Sequence, residues 1–363
     1  MSRSNSGPAG AMRPGPFSFP VAGAIMRAAG GIRGCIAARE TRQTNGTTGE
    51  ITVTGGAADS AWIAPVRIRE AARAKTRAAL GSGALVPLAT EVSRVEEQGV
   101  SFVVRIAGEW RRKPRAASRD MDGAVTARGE GPEHDPFLPP YEPDLYVGDL
   151  TPTHTLLLNK YPVLGEHLLL VTRHYERQTA PMTEADFHAL LTGLAGVDGL
   201  AFYNAGRVAG ASQPHRHIQL VPLPLDDTDA AGGAGTLPVR PWWDAVRFTG
   251  DVGHNPALPF RHAVAPVPAA WLDDPLRGAS AMADRVAQCW RLIGNDGSHT
   301  VSTPPGYNLL ATREWMWLVP RQREGGAGLS VNALGFAGCF LVGDHERYAE
   351  LRRLGPLNLL AQV

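Results

Sequence analysis

Apolar and polar positions change period several times along the chain. Between Ile63 and Ala79, apolar and basic residues fall at helical spacing and Gly81-Ser82-Gly83 closes the run, which predicts an amphipathic helix. Leu85–Leu88 and Val100–Ile106 are short β-branched runs between turn residues and read as strands. Two strongly apolar runs, T-L-L-L-N and H-L-L-L-V-T, flank K-Y-P-V-L-G-E and predict a hairpin within 144–173. Thr183 and Asp186 form a capping signature ahead of a helix to Gly196. Strands follow at Leu200–Asn204 and His215–Val221, with a glycine-bearing loop between them. Further on, a helix is expected over Ala279–Leu292, two strands over Tyr307–Pro320 with a turn at Arg313-Glu314, a strand over Gly338–Leu341 and a helix over Asp344–Leu354.

The order of strand, strand, helix, strand, loop, strand is that of an α+β fold with an antiparallel sheet and flanking helices. The second half repeats the style of the first, which suggests a duplicated half-domain whose copy lacks the paired histidines. Three parts are expected: an extension over 1–60, an N-terminal part over 61–222 and a C-terminal part over 237–363. Met1–Glu50 is rich in Gly, Ala, Arg and Ser and holds only Glu40 and Glu50 as acids. It reads as a disordered extension, a leader-like segment or the product of an early start codon. Ala107–Pro136 reads as a long exposed connection and Pro222–Gly235 as a linker.

With 363 residues, 44% of them hydrophobic, the chain can build a sizeable core. Lys+Arg 36 against Asp+Glu 35 leaves no global field for nucleic acid. No apolar stretch approaches the roughly 18 residues of a membrane span, so no membrane partner is expected. Cys35, Cys289 and Cys339 form no C-x-x-C, which argues against a disulfide framework or structural zinc and favours a reducing, cytoplasmic location.

Candidate chemistry concentrates in N-A-G-R-V-A-G-A-S-Q-P-H-R-H-I-Q-L-V-P, residues 204–222. Strand alternation puts His215, His217 and Gln219 on one face and Arg216, Ile218 and Leu220 on the other, mainly apolar one. Paired imidazoles can hold a metal, yet no carboxylate or Cys stands nearby in sequence to complete a site. Alternatively, a neutral imidazole attacks phosphorus. The loop suits that better, because Gly206 and Gly210 allow close backbone approach while Asn204, Ser212 and Gln213 bring donors. By itself His-x-His on a strand is more often structural than catalytic. The remaining histidines, among them His154, His167 and His262, show no paired spacing and read as structural or surface residues; Trp315 and Trp317 share a face if this is a strand and could stack an adenine, with core packing the preferred reading.

G-A-S-Q-P-H-R-H-I-Q-L-V-P resembles the H-x-H-x-Q signature of the diadenosine tetraphosphate phosphorylase (ATP adenylyltransferase) branch of the histidine triad superfamily. D-P-F-L-P-P, L-L-L-N-K-Y-P-V-L-G-E-H-L-L-L-V-T-R and Y-N-L-L-A-T-R-E-W-M-W-L-V-P-R extend the likeness over Ala61–Leu354. The resemblance implies a histidine-triad-like sheet, duplicated as in the galactose-1-phosphate uridylyltransferase-like fold. It also implies reversible phosphorolysis of diadenosine tetraphosphate to ADP and ATP through a covalent AMP-histidine. By resemblance His217 is the nucleophile, oriented by the backbone carbonyl of His215, and Gln219 holds a phosphate oxygen. Asn204 with Gly210, Ala211, Ser212 and Gln213 would cradle the polyphosphate, and Asn159 and Lys160 would meet the first nucleoside or its phosphate. Lys113 matches a basic substrate position, and Asn332, Ala333 and Leu334 a segment closing on the nucleotide. Cys339 and Gly343 depart from the family pattern, the latter where fungal members carry a lysine. Expected partners are diadenosine polyphosphates, ATP, ADP and phosphate. No cofactor is expected to be essential and no protein metal site is expected, although a divalent cation such as Mg2+ can accompany the nucleotide. The alternatives are an adenylylsulfate adenylyltransferase, a nucleotide-hexose uridylyltransferase and a dinucleotide sensor without turnover.

Overall fold

Proline in its first turn starts helix α1 (Pro65–Ser82), and Gly83 ends it in the left-handed conformation at φ +77°, as the Gly-Ser-Gly run predicts. The computed structural model describes residues 62–108, 135–225, 237–294 and 306–363. The expected extension over 1–60, Lys113 with most of its connection, Cys35 and most of the linker after Pro222 lie outside the described residues.

Beyond α1 the chain forms the hairpin β1 (Thr90–Glu97) and β2 (Val100–Ala107). Leu85–Leu88, expected as a strand, instead lies beside the next hairpin, with Val86 and Leu88 N–H groups donating to the carbonyls of Lys160 and Pro162. Next come β3 (Tyr146–Asp149), β4 (His154–Leu158) and β5 (Leu168–Thr172), then helix α2 (Glu184–Gly196), β6 (Gly199–Asn204) and β7 (His217–Pro222). The Asp186 carboxylate caps α2 by accepting the Thr183 N–H at 2.6 Å. The second half supplies β8 (Arg247–Thr249), β9 (Val252–His254), β10 (Ala263–Pro266), helix α3 (Pro275–Gly294), β11 (Gly306–Ala311) and β12 (Trp315–Arg321). A short helix α4 (Ala333–Phe336), strand β13 (Cys339–Val342) and helix α5 (His345–Leu354) follow.

Ten of these strands form one sheet in the order β3-β4-β5-β7-β6-β11-β12-β10-β9-β8. The first five in chain order thus lie as β3-β4-β5-β7-β6 and the second five as β8-β9-β10-β12-β11, each with one long helix before its last two strands. The two repeats meet at an antiparallel seam, where Asn204 pairs with Asn308 and Tyr203 with Leu309. The duplication extends to residues: Asn159 follows β4 and His167 precedes β5, while Asn255 follows β9 and His262 precedes β10.

One face of the sheet is covered by the helices. Leu170, Ile218, Leu220, Leu309 and Leu318 pack there against Ile68, Leu190, Leu194 and Met282. The other face is partly covered by β2, paired antiparallel with β1 and parallel with β13, so that Phe102 and Phe340 meet Phe202, Leu310 and Trp317. Each fully buried large apolar side chain contributes about 2 kcal/mol. Trp315 and Trp317 are core residues in contact with Trp243, Trp242 and Phe260, and they occupy in the second repeat the strand start that His217 holds in the first.

The helix face behind the H-R-H-I-Q strand departs from the apolar pattern at Arg216. Its guanidinium is buried and donates to Asp186 at 2.9 Å and Glu176 at 2.5 Å, and Asp186 also meets His154 Nε2 at 3.2 Å. Burial would raise the Asp186 carboxyl, but His154, Arg216 and the Thr183 N–H together hold it below the usual carboxylate range. The carboxylate is buried with both of its oxygens hydrogen-bonded and with Arg216 as its ion-pair partner.

Candidate active site

β6 and β7 are antiparallel neighbours in register, with Phe202 opposite Gln219. Continuing the alternation places Asn204 on the face of His217 and Gln219. Between the strand ends sits the Gln178 amide. It accepts the His217 N–H at 2.8 Å and donates to the carbonyls of Asn204 at 2.8 Å and His217 at 3.2 Å. The strand start that carries His217 is thereby tied to the strand end that carries Asn204.

The His217 ring is buried, with Phe137 at 5.2 Å between ring centroids. Its Nδ1–H donates to the carbonyl of His215 at 2.8 Å, which leaves the lone pair on Nε2. Burial pushes the imidazole down to about 4, only partly opposed by the His215 carbonyl. At neutral pH the ring is therefore uncharged and a competent nucleophile. His215 precedes the strand and joins Arg177 in an isolated bridge. Its Nδ1–H donates to Asp135 at 2.6 Å, while its Nε2 lies 2.9 Å from both the hydroxyl and the carbonyl of Thr172. A ring held at both nitrogens fixes the backbone carbonyl on which His217 depends.

Gln219 is oriented from the neighbouring strand. Its Oε1 accepts from His167 Nε2–H at 3.0 Å, and His167 Nδ1 accepts from Asn159 Nδ2 at 3.2 Å. Burial lowers the His167 imidazole to about 4 and keeps it neutral, as this one-way chain requires. The amide N–H groups of Gln219 are left as the half that can donate to a ligand.

Asn204 is 1% exposed, and its Oδ1 accepts from Asn308 Nδ2 at 2.8 Å and the Ala333 N–H at 3.0 Å. Its Nδ2 is buried with no protein partner among the described residues. Between the two strands, Gly210 takes φ +88° and packs so close to Asn332 that a Cβ there would come within 2.7 Å of the Asn332 Cβ. Asn332 caps α4 by accepting the Leu334 N–H. A cavity of about 570 Å³ opens over Gly210, Ala211, Ser212 and Gln213 and is also lined by Tyr175 and Arg207.

Of the expected site residues, His215, His217 and Asn204 are linked directly or through Gln178, with Gln219 on the strand face of His217. Ala333 and Asn332 touch Asn204 and Gly210 respectively, Leu334 bonds to Asn332, and Gly210–Gln213 line the cavity, which Gln178 also borders. Asn159 reaches Gln219 only through His167, and its Oδ1 accepts the Tyr161 N–H. Lys160 stands at the hairpin turn in a partly exposed ion pair with Glu142 at 2.7 Å. Asp135, Phe137, His167, Gln178, Asn308 and Arg321 are part of the arrangement without being expected from the sequence. Asp135 and Phe137 lie in the quoted D-P-F-L-P-P run, and His167 at the second foot of the hairpin whose first foot is Asn159, signals that pointed to them only in retrospect. Among the described residues no group of three His, Cys, Asp or Glu side chains could hold a metal, and no helix is long and apolar enough to cross a membrane.

Residues 58–241 match the Ap4A phosphorylase N-terminal domain and residues 256–363 the ATP adenylyltransferase C-terminal domain. The chain is 28% identical over 240 residues to diadenosine 5',5'''-P1,P4-tetraphosphate phosphorylase 2 of Saccharomyces cerevisiae, covering 60% of this chain and 71% of that protein. It is similar in structure to the yeast Ap4A phosphorylase Apa2 solved with AMP, with a TM-score of 0.60 at 25% identity over 82% of this chain and 95% of that one. Against Apa2 solved with Ap4A the TM-score is 0.58 at 25% identity, over 79% of this chain and 92% of that one. With more than half of its length matched by the first domain and residues 256–363 by the second, the chain belongs to the Ap4A phosphorylase / ATP adenylyltransferase family.

Proposed function

We propose that the protein is a nucleotidyltransferase that splits diadenosine tetraphosphate with inorganic phosphate into ADP and ATP, reversibly, through AMP carried on His217. The observation that carries this reading is the state of His217: buried, neutral, fixed through Nδ1–H on the His215 carbonyl and free at Nε2. Nε2 attacks the α-phosphorus, an N–P bond forms, and the P–O bond to the departing ATP breaks. A phosphate oxygen then attacks the same phosphorus, the N–P bond breaks, and ADP leaves with the ring neutral again. Each displacement is in line, so configuration at phosphorus is retained overall. The amide N–H groups of Asn204 and Gln219 and the Gly210–Gln213 backbone meet the α-phosphate oxygens, where donors fixed in advance stabilise developing charge. Asn332–Leu334 close over the nucleotide. The relatives solved with AMP and with Ap4A agree with adenine nucleotides as ligands.

The test is phosphorolysis of labelled diadenosine tetraphosphate. Wild-type protein releases ATP and ADP in equal amounts, and acid-labile AMP remains on the protein when phosphate is omitted. His217→Asn loses about 10³-fold or more in kcat. Full activity in that variant would sink the assignment, and faster turnover of adenylylsulfate or a UDP-hexose would redirect the substrate.

A further inference from the structure

The orientation of Asn204 is set from the other repeat. Its Oδ1 accepts two N–H groups, so the amide cannot turn over without facing donor against donor. Its Nδ2 is sent to the His217 face of the sheet, buried and without a protein partner among the described residues. Buried donors are nearly always satisfied, and one left open at a reactive centre marks the place of an acceptor.

Asn308, directly across the seam from Asn204, is held in turn. Its Oδ1 accepts from Arg321 Nη1 at 2.6 Å, and its Nδ2 donates to the Ala209 carbonyl at 2.9 Å as well as to Asn204. Arg321 is fully buried on β12 and anchored by donation to the carbonyls of Arg323 at 2.8 Å and Glu324 at 3.2 Å, with Phe336 under its guanidinium. Every link runs from donor to acceptor in one direction, Arg321 to Asn308 to Asn204, and such chains polarise each link further. A permanent donor at the far end fixes the sense of the whole chain. A neutral amide there could run it either way.

We infer that Asn308 and Arg321 are positioning residues for nucleotidyl transfer, locking the Asn204 amide with its N–H groups turned toward the α-phosphate. The inference rests on the nucleotidyl-transfer reading and gives the second repeat, whose own strand start is filled by tryptophan, a task in the first repeat's chemistry.

The decisive variant is Asn308→Asp, equal in size and able to keep the Arg321 contact. An oxygen then replaces the donor to Asn204 Oδ1, and the Asn204 amide turns its N–H groups toward the new carboxylate and away from the substrate. Phosphorolysis should show kcat reduced about 10- to 100-fold, with KM within threefold and the melting temperature within a few degrees of wild type. In an Asn204→Ala background the same substitution should add less than a twofold loss, because the group it acts through is gone. Equal losses in both backgrounds would mean direct charge repulsion or damage to the fold, and full activity in the single variant would mean that Asn204 needs no lock; either overturns the inference. Should Asn308→Asp fail to fold, Arg321→Lys keeps the charge and shortens the fork, and the same pair of backgrounds decides. The parent reading fails separately, if wild-type protein does not split the dinucleotide. In that case AMP titrated by calorimetry carries the test, with about tenfold weaker binding expected in Asn308→Asp and unchanged affinity overturning it.

Discussion

A histidine that attacks phosphorus has to be neutral, oriented and free at one nitrogen, and burial supplies only the first of these. Orientation comes from the His215 carbonyl, itself steadied by a ring pinned between Asp135 and Thr172. In the proposed reaction Gln219 has the same need, because an amide turned the wrong way would present an oxygen to the phosphate. His167 prevents that by donating to Oε1. Replacing it with leucine should lower kcat for phosphorolysis about tenfold, the scale of one misdirected donor. His167→Gln, which can donate to Gln219 and accept from Asn159, should restore most of the rate. Steady-state kinetics of the two variants beside Gln219→Ala checks this, and a leucine variant as fast as wild type would show that Gln219 is held by other means. His217 and Gln219 were legible in the sequence because strand alternation puts them on one face and the H-x-H-x-Q resemblance gives them roles, whereas His215, expected in the same strand, precedes it. His167 was not legible, because its contact depends on the register that sets Leu169 opposite Gln219, and no local spacing carries that register.

At the scale of elements, the loop between β6 and β7 is shaped by what lies under it. Gly210 combines a left-handed backbone with a gap that a Cβ would close against Asn332. Gly210→Ala is therefore strained twice, and about 1–3 kcal/mol of backbone strain is expected before any displacement of the loop. The loop should relieve that strain by lifting away from α4, with kcat/KM for the dinucleotide down at least tenfold and a drop of a few degrees in melting temperature. Calorimetry and kinetics on the one variant separate the two effects; a loss of stability with no loss of activity would detach the loop from the chemistry. Helices with clear stops and strands with continuous apolar runs were readable, as α1, α2, β4 and β5 illustrate. β1 was missed because T-E-V-S-R-V-E-E is half exposed along its length and too charged to look like a strand. β8 to β10 run to only three or four residues each, too short for a period to form.

For the molecule as a whole, duplication could be sensed from the order of elements but not the seam that joins the copies, since Asn204 and Asn308 become neighbours only once the sheet closes. The duplicated design buries neutral imidazoles in both repeats. His167, His217 and His262 are each lowered by burial to about 4. Unfolding returns each to its ordinary value near 6.5, so between those values the unfolded chain binds more protons than the folded one. Stability is then complete above about pH 7 and is lost as the pH falls toward 4, at up to about 1.2 kcal/mol per pH unit for each ring around pH 5. Asp186, held low in the fold, acts in the same direction, its contribution disappearing as the pH falls below its ordinary value near 4. Against a typical stability of 5–15 kcal/mol, about 3.6 kcal/mol per unit from the three histidines together is enough to bring acid unfolding on well above the carboxylate range. Urea midpoints at pH 7.5, 6 and 5 should fall steeply and continuously. His262 packs against Trp317 and Phe260 in the second repeat and does not line the cavity over Gly210–Gln213, so His262→Gln removes one of the three protons from the linkage and should leave phosphorolysis near the wild-type rate. Its stability should depend on pH about one-third less steeply than wild type across that interval. A flat profile in the wild-type protein would mean that the rings titrate near their ordinary value in the fold, and with it the neutral, buried nucleophile would lose its physical basis.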